Sequence, residues 1–179
     1  MIGRKETAIA AIGLLVAVSS ASAAAPVISR TATVSSSAGS YSQGTETFPI
    51  RNVIDGRTGD TGAPGNWSFW LAPQGINRSI ITLDLHIPYN IKEIALQDSH
   101  NRGYMDRGTR AFTVSGSLDG RNFTPIANDA FSQQEWQSLA WKRISSSATA
   151  RYLRIEIVTC WGCQSVGLNE IEVSGFPHF

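Results

Sequence analysis

Only two cysteines occur among the 179 residues, Cys160 and Cys163, so there is no second pair to complete a four-cysteine zinc site. Charge is also scarce. Asp, Glu, Lys and Arg make up 16% of the chain, as 15 basic against 14 acidic residues. Such a near-neutral balance gives no field to gather nucleic acid or a strongly anionic membrane. No internal repeat is visible, and no amphipathic segment is long enough for a substantial helix. No G-x-S-x-G, no H-E-x-x-H and no other motif certifies a catalytic constellation, so the expectation is a protein that is not an enzyme. The longest apolar run, 8–18, falls short of the ~20 residues a membrane-spanning helix needs.

That run has a different meaning. Arg4 and Lys5 precede it and Ala21-Ser22-Ala23 follows it, which is the layout of a secretory signal peptide over 1–23. Cleavage near Ala24 removes Arg4, Lys5 and Glu6, and the remaining chain, 24–179, has room for one core and not two. The expected location is secreted or periplasmic, with cell-surface association open. Export also makes a disulfide reasonable. The Cys160-Trp161-Gly162-Cys163 spacing lacks the strand-to-helix setting of a thiol oxidoreductase, and it reads as a local disulfide contributing about 2 kcal/mol.

What the sequence does have is alternation. In 110–123, Phe112, Val114 and Leu118 fall on one face and Thr113, Ser115 and Ser117 on the other, followed by an Asp119-Gly120 turn and a returning strand over 122–127. Ile81, Leu83, Leu85 and Ile87 alternate with Thr82, Asp84 and His86. Pro88-Tyr89-Asn90 interrupts that run, and 91–97 reads as the next strand. Further strands are predicted over 31–36, 135–144 (with Trp136 and Trp141), 152–158 and 168–175. Residues 62–75 and 98–108 read as loops. About eight strands with short connections predict an all-β antiparallel sandwich of jelly-roll type.

Several pieces, in order, resemble the coagulation factor 5/8 type C (discoidin) domain. That group lies within the galactose-binding-like superfamily and includes family 32 carbohydrate-binding modules. The pieces are Asn52-Val53-Ile54-Asp55-Gly56, Ile81-Thr82-Leu83-Asp84-Leu85, FTVSGSLDG over 112–120, YLRIEI over 152–157 and GLNEIEV over 167–173. The resemblance implies a structural Ca2+ site. Asp55 and Glu170 would supply carboxylates, and Asn52, Arg57 and Asn169 carbonyls. Thr61 matches the remaining ligand, but the loop is one residue longer than the usual pattern, which opens that place to Asp60 instead. Calcium favours six to eight hard oxygens, which such a set supplies.

The resemblance also implies a sugar site on loops at one end of the sandwich. His100, Asn101, Arg102, Asp106 and Arg107 stand in the loop before the 112–120 strand. Trp161 stands before the last strand, and Trp67 and Trp70 in the Gly-rich loop. Arg and Asn can fork hydrogen bonds to sugar hydroxyls while an aromatic face covers the ring. No His stands in the 67–70 region where relatives carry theirs, which disfavours galactose more than sugars generally. Trp70 reads as core, Trp161 as a platform held out by the disulfide. The expected partner is a glycan or glycoconjugate, with no nucleic acid and with membrane lipid disfavoured. The competing reading is an adhesion or protein-interaction module of the same fold.

Overall fold

The computed structural model describes residues 23–179, so the predicted signal peptide lies, Ala23 apart, outside the described residues. One strand dominates the architecture. Ser79–Gln97 runs as one strand through the predicted break at Pro88, with its pairing interrupted between Asp84 and Tyr89, and serves two layers. Its first half pairs antiparallel with Thr33–Ser36 on one side and with Thr149–Ile157 on the other. Beyond Thr149–Ile157 the layer continues to Ala111–Ser117 and then Thr124–Ala130 at the edge. Its second half pairs with Trp141–Ser145 and Glu170–Pro177. The two halves thus make a five-stranded and a three-stranded layer of an antiparallel β-sandwich.

The bend that permits this is chemical as well as steric. His86 has φ 72° and donates its N–H to Asp84 Oδ1 at 2.8 Å. The Asp84 carboxylate is also held by Arg151 through two bonds of 2.8 and 2.9 Å. Past the bend the alternation changes face. Ile81 and Leu83 are fully buried, whereas Ile87, predicted inward, is 45% exposed. Burial resumes at Ile91, Ile94 and Leu96.

The main core lies between the layers and includes Val53, Ile54, Trp70, Leu83, Ile94, Leu96, Phe112, Leu153, Ile155 and Val173. Trp70 belongs to it as predicted, and its indole N–H reaches the Gly39 carbonyl at 2.9 Å. A second, aromatic cluster of Phe48, Trp67, Phe69 and Leu71 packs with Tyr41.

Three further details differ from the sequence reading. Leu118 lies beyond the end of its strand and is 57% exposed, because the chain turns at Ser117, whose Oγ accepts the Asp119 and Gly120 N–H groups. Residues 133–138 form a short α-helix, Gln133–Ser138, rather than the start of a strand. Its signal is the Ser132–Glu135 capping box, in which each side chain bonds the other's backbone N–H. The strand that follows is confined to Trp141–Ser145. Finally, the Gly-rich loop contains short pairings, among them Trp70–Leu71 with Gly167–Leu168.

Candidate functional site

The loop 98–109 leaves the long strand and returns at Ala111–Ser117. Asn101, Arg102 and Met105 all have positive φ, a conformation side chains disfavour. Four fixtures hold it. Asp98 Oδ1 accepts the N–H groups of Ser99 and Thr109, both at 2.8 Å, tying together the two ends. Trp136 Nε1 lies between the carbonyls of Ser99 (3.2 Å) and Arg107 (3.1 Å), closing the same ends from the other side. Asp60 Oδ2 accepts the N–H groups of His100 (3.0 Å) and Arg102 (2.9 Å). The disulfide loop supports the far side. Gln164 N–H reaches the Asp106 carbonyl at 3.0 Å. A β-carbon on Gly162 would lie 2.3 Å from the Asp106 carbonyl carbon.

Held this way, the loop forms one wall of a cleft of about 250 Å³ lined by Tyr41, Glu46, Phe48, Leu71, Asn101, Arg102, Tyr104, Asp106 and Arg107. The Arg102 guanidinium lies over the Trp67 ring at 4.2 Å and the Tyr104 ring at 5.0 Å. Arg107 lies over Tyr41 at 4.7 Å. Tyr104 is 68% exposed and leaves a face for a ligand. Asn101 donates to Asp106 Oδ1 at 2.9 Å, which fixes both amide and carboxylate. Donors, acceptors and aromatic faces converge here as they do in small-ligand sites.

The predicted ligand residues therefore divide. Asn101, Arg102, Asp106 and Arg107 come together on the cleft. His100 does not line it, and its Nδ1 stands 3.2 Å from Asp60 Oδ2. Trp67 is 8% exposed, donates its indole N–H to Glu46, and serves as the floor under Arg102 rather than as a platform. Trp161 is not held out either. It stacks on Trp136 with centroids 5.8 Å apart, donates to the Phe131 carbonyl at 3.0 Å and lies under Arg110. A Trp next to a second buried Trp loses less by stacking than by standing in water. The Cys160–Cys163 disulfide is present. Its loop supports Asp106 and Arg107, a different task from the one predicted.

Sequence reasoning missed Tyr41, Glu46, Phe48, Tyr104 and Trp136. Tyr104 had a readable signal, an aromatic alone in a polar loop. Trp136 had the capping box immediately before it. Tyr41, Glu46 and Phe48 sit in an early segment with no strong pattern, and only the tertiary fold brings them to the cleft.

A wider cleft of about 450 Å³ lies at the opposite end of the Ala111–Ser117 strand, beside Leu118, Pro125, Ile126 and Ala148. Its one carboxylate, Asp119, is spent on the Arg121 and Asn122 N–H groups, the Asn122 side chain and Ser117.

The predicted metal residues also divide. The Asp55 loop reaches the last strand, where Gly56 N–H donates to Glu170 Oε2 at 3.1 Å. Glu170 is fully buried and its Oε1 has no hydrogen-bond partner among the described residues. Burial first, and then the Asp55 and Glu172 charges, push its pKa up to about 8, against the pull of the Gly56 N–H and Arg30. Arg30 lies 3.8 Å from Oε1. Asn52 supports the turn through its carbonyl, 3.4 Å from the Asp55 N–H, and its side chain holds the Trp67 and Phe69 carbonyls. The Arg57 N–H closes onto Asp55 Oδ1 at 2.8 Å.

Asp60 departs from the metal expectation. Its Oδ1 accepts from Asn169 Nδ2 at 3.1 Å and its Oδ2 from the 98–109 loop, so both oxygens are committed to N–H donors. Thr61 Oγ1 donates to the Thr58 carbonyl at 3.0 Å. Among the described residues no three His, Cys, Asp or Glu side chains gather at one point. An ion between Asp55 and Glu170 therefore needs backbone carbonyls to complete its shell. The buried Glu170 oxygen, with no hydrogen bond and only the Arg30 guanidinium at 3.8 Å, lies near the Asp55 charge and fits a hard cation.

No curated protein matches the sequence. Among solved structures, the CBM32-5 module of the Clostridium perfringens GH89 protein, in complex with GalNAc-β-1,3-galactose, superposes with a TM-score of 0.66 at 17% identity, covering 84% of this chain and 100% of that one. Chitosan-binding module 1 of a chitosanase/glucanase from Paenibacillus sp. IK-5 gives 0.61 at 17% identity, covering 84% and 99%. The family 32 module of Clostridium perfringens NanJ, in complex with galactose, gives 0.61 at 14% identity, covering 82% and 96%. At such identities the likeness is one of fold, and it agrees with the two-layered sandwich described above. Residues 31–171 match the F5/8 type C domain, and by that match over most of its length the chain belongs to the F5/8 type C domain family.

Proposed function

We propose that the chain is an exported carbohydrate-binding module that holds a glycan without turnover, in the cleft between the 98–109 loop and the Tyr41–Phe48 side, on a calcium-stabilised jelly roll. The observation that carries this reading is the convergence of Asn101, Arg102, Asp106 and Arg107 with Tyr41 and Tyr104 on one small cleft. Fixed donors can fork to neighbouring hydroxyls, Asp106 can accept from one, and the exposed Tyr104 ring can cover an apolar sugar face. The solved neighbours carrying sugars in the same fold support it.

The calcium part rests on Glu170 and Asp55. Their carboxylates, with the carbonyls of Asn52, Arg57 and Asn169 and with Thr61 as the remaining candidate, would hold the ion. It would supply positive charge between two carboxylates and tie the Asp55 loop to the final strand. Asp60 has no part in that set. It positions the ligand loop instead.

A glycan array probed with the wild-type protein and with Arg102→Ala tests the main reading. A defined signal that Arg102→Ala loses is the expected result. Absence of signal on every glycan contradicts it and favours the protein-interaction reading.

A further inference from the structure

The balance of unused hydrogen-bonding groups in the cleft goes beyond its general fitness for sugars. Four charged side chains line it: Arg102, Arg107, Glu46 and Asp106. Formal charge cancels, but commitment does not. Glu46 already accepts the Trp67 indole N–H. Asp106 Oδ1 already accepts Asn101 Nδ2, and Oδ2 stands 3.8 Å from Arg107 Nε, beyond hydrogen-bonding distance. The cations are the reverse. Arg107 is 7% exposed, and its Nε and Nη1 have no acceptor among the described residues. Arg102 Nε has none either, and its Nη2 reaches Asn101 Oδ1 only at 3.4 Å.

Buried guanidinium N–H groups without acceptors are costly, and a ligand that brings an acceptor to this edge of the cleft would relieve that cost. Both guanidiniums are stacked on aromatic rings, Arg107 on Tyr41 and Arg102 between Trp67 and Tyr104. Stacking occupies the faces and leaves the N–H edges, which match a planar carboxylate or a sulfate in bidentate fashion. A neutral sugar brings hydroxyls that both donate and accept, and its donors would find one oxygen of each carboxylate already engaged.

Resting on the glycan reading above, we propose that this cleft selects an acidic sugar, whose anionic substituent is received by Arg107 and Arg102 and whose ring lies against Tyr104. The same geometry disfavours cationic amino sugars such as chitosan, whose ammonium groups would meet two guanidiniums beside carboxylates that each already hold one donor.

Titration calorimetry with the full-length mature protein separates these outcomes. The probes are trigalacturonate, neutral galactotriose, a sulfated galactotriose and chitotriosan. The expected result is that trigalacturonate or the sulfated trimer binds at least about tenfold more tightly than galactotriose, the scale of one lost charge-assisted bond. Which of the two binds more tightly identifies the substituent as carboxylate or sulfate, and either upholds the assignment. Rising salt weakens binding. Arg107→Gln removes the preference. Arg102→Gln, at a less buried position, reduces it in a protein whose melting temperature stays near wild type, so a folding defect in the first variant does not decide the matter. Equal affinity for galactotriose and both charged trimers overturns the acidic-sugar inference and leaves the glycan reading intact. Tighter binding of chitotriosan also overturns it. No binding of any sugar removes both.

Discussion

Gly56 and Glu170, far apart in sequence, meet through a 3.1 Å hydrogen bond from the Gly56 N–H to Glu170 Oε2. The bond brings the Asp55 turn against the start of the last strand, the juxtaposition a calcium ion would exploit. It also sets a pH dependence. Glu170 has its pKa pushed up to about 8, so between the usual carboxylate range and about 8 the folded protein holds a proton that the unfolded chain releases. Stability of the calcium-free protein therefore falls as pH rises through that window. Calcium competes with the proton, so its stabilising effect is larger at about pH 8 than at about pH 6. Melting curves in chelator and in calcium check both statements. Other buried carboxylates also titrate, so the comparison is with Glu170→Gln, which flattens the pH slope and abolishes the calcium shift. An unchanged slope or an unchanged shift in that variant contradicts the assignment.

Asp60 secures the ligand loop from below. Replacing it by Ala leaves the His100 and Arg102 N–H groups and Asn169 Nδ2 without their acceptor. Each unsatisfied buried donor costs about 1–3 kcal/mol, so Asp60→Ala lowers stability by at least that scale. Sugar affinity falls as well, because the positive-φ residues Asn101 and Arg102 lose their anchor. Denaturant titration and calorimetry on the same preparation give both numbers. A variant that loses stability but keeps full affinity shows that the loop is set by its other fixtures.

Trp161 and Gly162, neighbours in the disulfide loop, have separable roles. Trp161→Ala removes a stacked pair with Trp136 and costs about 1–3 kcal/mol of stability, with little direct effect on the cleft. Gly162→Ala introduces a β-carbon into the Asp106–Arg107 backbone at a residue with φ 68° and displaces the wall of the cleft. Affinity is expected to fall several-fold more in Gly162→Ala than in Trp161→Ala. Breaking the disulfide in a Cys160→Ser, Cys163→Ser double variant costs about 2 kcal/mol and acts on affinity in the direction of Gly162→Ala. If Trp161→Ala abolishes binding in a fully folded protein, Trp161 touches the sugar after all.

The layered sandwich was legible because period-2 alternation reports burial directly. Phe112 and Val114 in one strand, and Leu153, Ile155 and Ile157 in another, occupy the core as their spacing requires. The alternation of 79–87 failed only at Ile87, where the Asp84–His86 bond turns the chain. A bend held by a side chain to backbone bond leaves no mark on hydrophobic periodicity. The helix Gln133–Ser138 was misread because Trp136 and Trp141 outweighed the capping box in front of them. At the site, Asn101, Arg102, Asp106 and Arg107 could be picked from one polar loop, since a loop keeps its residues local. The opposite wall could not, because Tyr41 and Glu46 arrive from a segment some sixty residues earlier through the aromatic cluster around Phe48 and Trp67. Trp161 reads as outward from sequence because a large ring in a tight disulfide loop is hard to bury. Trp136, on a helix the sequence reading did not contain, supplies the surface that covers it.

The proposed sugar site is the cleft at the 98–109 loop. Titration of a bound glycan into isotopically labelled protein, followed by backbone amide chemical shifts, tests it most directly. The largest shifts are expected on Tyr41, Asn101, Arg102, Tyr104, Asp106 and Arg107, with the hairpin around Leu118 unmoved. Shifts concentrated instead at Leu118, Ile126 and Ala148 would place the ligand at the other end of the sandwich and contradict it.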